Sequence, residues 1–295
     1  EDDPCLQRYM HAREMETVLV RPNTLIETLQ TQAQALAANL MQPLRSYLPR
    51  GVPVEKLSGD AALLDDAREK WRRKRGTLTP DAVNALETAH RRLCSCLKAI
   101  DLLVYEGFES FFNELRSFAQ KEQSVDDGKF LHSPRFNQLW SSVTAHNARS
   151  EPILHPKQEV LCGILLDHFA NHGADTKAIV FAQYRRVVAG IESTLNRHKP
   201  LINARCFVGQ AASKGSAGMN QLEQRQLVER FKSGDGDCNV LVATSIGEEG
   251  LDIGEVDLIV QYDCLSSHIR TVQRIGRTGR KRNGRAIQLV TAGVE

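Results

Sequence analysis

Residues 240–253 read Val-Leu-Val-Ala-Thr-Ser-Ile-Gly-Glu-Glu-Gly-Leu-Asp-Ile, and a second apolar run, Leu258 to Tyr262, ends at Asp263. A buried strand at Val240 to Ala243 delivers Thr244 and Ser245 to its C-terminal edge, where hydroxyls and free amides can hold a backbone phosphate without reading sequence. Gly247 and Gly250 permit a tight loop. Asp252 is placed to accept hydrogen bonds from a ribose. A glycine and acid loop after a strand occurs in many α/β folds, so by itself this stretch specifies little.

Working outward, short apolar runs recur at Ala178 to Ala182, Phe207 to Val208 and Ala286 to Val290, with amphipathic segments between them. Strands alternating with helices imply a parallel sheet covered on both faces, with ligands at the C-terminal ends of its strands. Residues 1–150 read differently, with apolar residues three and four apart through polar stretches, so this half is expected to be mostly α-helical. A short strand at Glu14 to Val20 is the exception. Helices are expected from about Leu25 to a stop near Pro43, from a cap at Ser58 to about Arg75, from Thr79 and Pro80 to about Tyr105, and over Glu109 to Lys121 and Pro134 to Ala148. The segment Ser150 to Pro156, with two prolines and no periodicity, suits a linker. The reading is therefore a helical domain over residues 1–150 and an α/β domain over 151–295.

The most specific string is Gln273-Arg-Ile-Gly-Arg277-Thr-Gly-Arg280, followed by Lys281 and Arg282. So many cations in so short a stretch repel one another unless an anion neutralises them. Arg277 and Arg280, three apart, can point the same way if the stretch is helical, and each guanidinium offers a planar fork to phosphate oxygens. Gly276 and Gly279 let another surface come close. Alone, the run would read as a solvated basic helix end; paired with the 240–253 string about 20 residues before it, it points to a phosphate ligand.

The two strings resemble motifs V and VI of superfamily 2 helicases, and Val180-Phe-Ala-Gln183-Tyr-Arg185 resembles motif IV. Closer still, Phe207-Val-Gly-Gln210, a Gly, Ser and Lys loop through Met219, and Gln221-Leu-Glu-Gln224 resemble the Fanconi anaemia group M (FANCM) and archaeal Hef branch. So do Gly247 through Ile259 and the stretch from Ile269 to Arg285. The resemblance is dense from about His155 onward and loose over the first 150 residues, where that branch carries a helical insertion. It implies a RecA-like second motor domain behind that insertion. It further implies that Arg277 and Arg280 are arginine fingers for a γ-phosphate with Gln273 at the same cleft, and that Gly250 and Asp252 sit by the nucleotide sugar. Thr244, Ser245, Gln183 and Arg185 would touch the nucleic-acid backbone. No Gly-x-x-x-x-Gly-Lys-Ser/Thr loop and no acidic box of the Asp-Glu-x-His type occurs in the sequence. ATP with Mg²⁺ is thus expected to be held mainly by a first motor domain of a longer protein, and this chain alone to be inactive.

Two further basic candidates stand outside those motifs. Lys70-Trp-Arg72-Arg73-Lys74-Arg75 could contact a DNA backbone or simply be a solvated helix C-terminus, where cations suit the dipole. In the loop Gln210 to Gly218, Lys214 and Gln210 could meet the backbone of a strand, or the loop could merely connect. The net charge of +2 over 295 residues, with 41% hydrophobic and 25% charged residues, excludes neither and suggests neither disorder nor a fibrous class. Seven cysteines without paired spacing read as reduced thiols, and no metal site is expected. No apolar run approaches the roughly 20 residues that span a bilayer. The resemblance makes the expected function an ATP-dependent DNA helicase or translocase acting on branched or fork-like DNA in repair, in the nucleus. Two rivals stay open: a double-stranded RNA-dependent ATPase of the RIG-I-like or Dicer kind, and a scaffold that binds nucleic acid without catalysis.

Overall fold

The computed structural model describes residues 13–74, 76–149, 154–173, 175–210, 218–234, 237–244, 253–263 and 284–292. The chain divides into two compact units: Asn23–His155, and a second formed by the residues up to Pro22 together with those from Pro156 onward. The strand expected near the start therefore does not belong with the helices. β1 (Arg13–Val20) runs parallel to β6 (Gly284–Thr291), with Met15 opposite Ala286 and Leu19 opposite Val290. A lone strand beside helices leaves its main-chain groups without a ladder, so it pairs with a strand some 270 residues later, a partner that local periodicity cannot reveal.

The helical unit starts where Asn23 accepts a hydrogen bond from the Ile26 amide at 2.9 Å and opens α1 (Thr24–Met41). Pro43 then converts the chain into a 3₁₀ turn over Gln42–Leu44. A short α2 (Val54–Gly59) contains Ser58, so this residue does not cap the next helix; α3 (Ala61–Arg73) begins after Asp60. α4 (Pro80–Tyr105) follows the expected Thr79 cap, whose Oγ1 accepts from Ala82 N at 3.3 Å. α5 (Phe108–Glu122) and α6 (Pro134–Asn147) complete the unit. Its core gathers Leu29, Leu36, Met41, Leu44, Trp71, Leu93, Leu103, Phe111 and Leu139, all buried.

The second unit holds α7 (Pro156–His172), β2 (Ala178–Phe181), α8 (Arg185–Leu195), β3 (Ala204–Phe207), α9 (Gln221–Ser233), β4 (Val240–Ala243), β5 (Leu258–Gln261) and β6. The strands form one parallel sheet in the order β1-β6-β5-β2-β4-β3. Every residue of β2, β4 and β5 is buried, as expected when helices cover both faces. Side chains alternate between the two layers. Val180, Val242 and Val260 join Leu165, Phe169, Val188 and Ile191 from α7 and α8. Ile179, Phe181, Leu241 and Ile259 join Val228 and Phe231 from α9. From β2 the chain runs outward to β3, whereas from β5 it runs the other way to β6, so the neighbouring ends of β2 and β5 form a topological switch point. Ligands of open parallel sheets collect at such points.

Candidate functional site

The carboxyl ends of β3, β4, β2 and β5 are held level by hydrogen bonds that continue the ladder just past the strands. Thr244 N donates to Phe207 O at 3.2 Å, Ala182 N to Ala243 O at 2.9 Å and Tyr262 N to Phe181 O at 2.8 Å. Beyond them, side chains take over. Asp263 Oδ2 accepts from the Gln183 amide at 2.6 Å, and Lys157 Nζ, from the first turn of α7, donates to Tyr262 O at 2.9 Å. Arg185 opens α8 and donates through its guanidinium to Gly209 O at 3.0 Å, an oxygen that also accepts from Met219 N at 3.2 Å. Gln224 of α9, buried, donates from Nε2 to Val208 O at 3.0 Å and to Met219 O at 3.2 Å. These bonds pin the end of β3 to the neighbouring turn.

Four residues singled out in the sequence thus reach this edge. Gln183 and Gln210 are exposed there and can meet a ligand. Arg185 is half-buried and braces the β3 end. Thr244 is 8% exposed and its amide is committed to Phe207, which corrects the expectation of a free amide at this position; the extra rung of the ladder uses it. Ser245, Lys214, Gly250, Asp252, Gln273, Arg277, Arg280 and Arg75 lie outside the described residues. The sequence reading passed over Lys157, Asp263 as a side-chain ligand, and Gln224. The signal for Lys157 was a cation just after His155-Pro156, at the head of a helix whose middle, Val160 to Leu166, is apolar.

In the helical unit the basic run closes α3, and most of its described cations already have carboxylates. Arg68 donates to Glu87 at 2.7 Å, Arg72 at 3.0 Å and Trp71 Nε1 at 3.3 Å, so one carboxylate of α4 gathers three donors from α3. Burial pushes the Glu87 carboxyl up, but the hydrogen bonds from Arg68, Arg72 and Trp71 outweigh it and hold it down at about 2. Lys70 pairs with Asp66 at 2.6 Å and Arg73 with Glu69 at 2.8 Å, both one turn back on the same exposed helix. Lys74 lies 5.9 Å above the Tyr47 ring. Exposed pairs of this kind are worth only about 0.3–0.5 kcal/mol, so Lys70 and Arg73 can exchange their partners for phosphate cheaply. Arg72 cannot do so without breaking the Glu87 cluster. A groove of about 510 Å³ beside it is lined in part by Arg68, Glu87 and Arg91, and Arg91 in turn pairs with the buried Glu122 at 3.1 Å.

Comparison with known proteins covers both units. Residues 156–282 match the helicase conserved C-terminal domain. The ATP-dependent DNA helicase mph1 of Sclerotinia sclerotiorum is 37% identical over all of this chain, which spans 25% of that protein. MPH1 of Pyricularia oryzae is 36% identical, again over all of the chain and 27% of the relative. The chain thus spans about a quarter of these relatives' length. Among solved structures, the Hef helicase domain of Pyrococcus furiosus superimposes with a TM-score of 0.77 at 27% identity, over 99% of this chain and 58% of that one. The parallel sheet with helices on both faces is a RecA-like domain, the match extends through the helical unit, and the chain belongs to the FANCM/Hef family of superfamily 2 helicases.

Proposed function

We propose that this chain forms the helical insertion and second motor domain of an ATP-dependent DNA helicase or translocase that remodels branched, fork-like DNA in nuclear repair. The observation that carries the reading is identity of 37% to an ATP-dependent DNA helicase over both units, joined to an intact Gln273, Arg277 and Arg280 string. On this reading, Arg277 and Arg280 are presented to the γ-phosphate of an ATP whose Mg²⁺ and phosphates are held mainly by the first motor domain. Gly250 and Asp252 face the sugar. Gln183, Gln210, Lys214, Thr244 and Ser245, on the loops past β2, β3 and β4, meet DNA phosphates and so track the duplex without reading its bases. The residues present suit ATP in one respect: two arginines three apart supply charge to a transferring phosphoryl group only when a partner domain brings it to them.

The test uses full-length protein. Arg280→Ala is expected to lower DNA-stimulated ATPase by about 10³ to 10⁵ while leaving DNA affinity without nucleotide nearly unchanged. Arg277→Ala should behave alike, and the double variant should be little worse than either single one. Near-normal ATPase with abolished DNA binding would mean that the string serves a different ligand. Competition between matched DNA and RNA duplexes, and between forked and linear DNA, then decides the substrate class; preference for the RNA duplex would overturn the DNA assignment.

A further inference from the structure

Among the described residues, Lys157 and Asp263 are the charged residues that the second unit buries at the switch point between β2 and β5, at 2% and 3% exposure. Charge is costly to bury, and an apolar pair of the same volume would pack as well or better. What an apolar pair could not do is hold main chain. At a switch point the strands' continuations diverge, the ladder ends, and amides and carbonyls just past the strands lose their partners. Asp263 Oδ2 takes the Gln183 amide at 2.6 Å, a short charge-assisted bond. Lys157 Nζ takes the Tyr262 carbonyl at 2.9 Å and lies 5.6 Å from the Tyr262 ring centroid. Each therefore fixes the turn that leaves one of the two strands.

The turn after β2 is Gln183-Tyr184-Arg185, clamped at its first amide by Asp263 and at its arginine by Gly209 O. The turn after β5 is Tyr262-Asp263, from which the sequence continues ten residues to Gln273. One buried carboxylate thus sets the turn that carries Gln183.

We propose that Asp263, held in place through Lys157 and the Tyr262 carbonyl, is a positioning residue that fixes the Gln183 turn for contact with a nucleic-acid backbone. The proposal rests on reading this edge as the DNA side of a motor.

The experiment uses the full-length protein with Asp263→Ala, Asp263→Asn and Lys157→Met. ATPase is measured against concentration of a forked DNA duplex, and amide hydrogen exchange is measured over residues 182–186. Asp263→Ala is expected to raise the half-saturating DNA concentration about tenfold or more, as the loss of a hydrogen bond to a charged group predicts. Exchange at the Gln183 turn should rise with it, and the melting temperature should fall by only a few degrees, since one main-chain amide loses its acceptor. Asp263→Asn keeps an acceptor oxygen and should restore most of the DNA dependence; Lys157→Met should shift it in the same direction as Asp263→Ala by less. A purely structural role would lower the melting temperature and leave the half-saturating DNA concentration of the folded protein at the wild-type value, and that result overturns the proposal. Wild-type protein without DNA-stimulated ATPase would refute the proposed function instead. The exchange measurement still decides the positioning: unchanged exchange at residues 182–186 in Asp263→Ala overturns it whatever the ligand.

Discussion

Glu87→Gln in the helical unit isolates the ion-pair cluster of α3 and α4. The wild-type carboxylate takes Arg68 Nε and NH2 at 2.9 and 2.7 Å, Arg72 Nε at 3.0 Å and Trp71 Nε1 at 3.3 Å. Its side chain is 24% exposed. Glutamine keeps the shape and one acceptor oxygen but removes the charge. A carboxyl held at about 2 in place of the ordinary 4.5 corresponds to about 3 kcal/mol. Solvent screening around partly exposed arginines reduces that to about 1–2 kcal/mol. Because the folded value is the lower one, the carboxylate stabilises the fold above about pH 4.5, and that contribution fades as pH falls from there towards 2. Thermal unfolding at pH 7 should therefore show Glu87→Gln melting about 3–6 °C below wild type. The gap should narrow steadily at pH 4 and pH 3.5. An unchanged melting temperature at pH 7, or a gap that does not shrink with acid, would refute the claim that charge at Glu87 holds α3 to α4.

Other expectations follow from the same geometry. The chain without its partner motor domain should show no ATPase above an Arg280→Ala control, measured by phosphate release with saturating DNA. Replacing Lys70, Arg73 and Lys74 with Ala should flatten the salt dependence of DNA binding by roughly 0.7 to 0.9 for each phosphate no longer neutralised, whereas Arg72→Ala should cost stability first; an unchanged slope in the triple variant returns the cluster to a solvated helix end. Burial pushes the thiols of Cys96 and Cys238 up to about 12, so at pH 8 both should resist alkylation in the folded protein and react on unfolding. Leu29→Ala, at a fully buried position of α1, should cost about 2–5 kcal/mol by denaturant titration, and a smaller effect would mean that the helical core is looser than described.

What the sequence revealed depended on how local its cause was. Thr79-Pro80 announces a helix start because cap and first turn lie within four residues of each other, and α4 begins there. β2, β4 and β5 are legible because burial on both faces makes them continuously apolar over Ala178–Phe181, Val240–Ala243 and Leu258–Gln261. β1 was legible as a strand but not as a member of this sheet. It lies at the edge, where Met15 and Leu19 remain 65% and 60% exposed, and its ties are backbone pairing to β6, the Arg285–Glu16 ion pair at 2.7 Å and the buried Val20, all to residues far along the chain.

The edge of the sheet divides in the same way. A motif announces residues whose spacing a ligand's own geometry would set; Gln183 and Gln210 were singled out like this, and both lie exposed past the strand ends. Residues that serve the main chain carry no such spacing. Asp263 acts on the amide of residue 183, Gln224 on the carbonyl of residue 208, and Lys157 on the carbonyl of residue 262. The first pair is joined by the order of strands in the sheet, which places β5 beside β2 although β3 and β4 intervene in sequence, and the other two by helices α9 and α7 packed at the strand ends. Seen along the chain, these are only an acid, an amide and a lysine with no distinctive spacing. Only the folded edge gives each a main-chain group to hold, and with it, for Asp263 and Lys157, a reason for the charge to be buried.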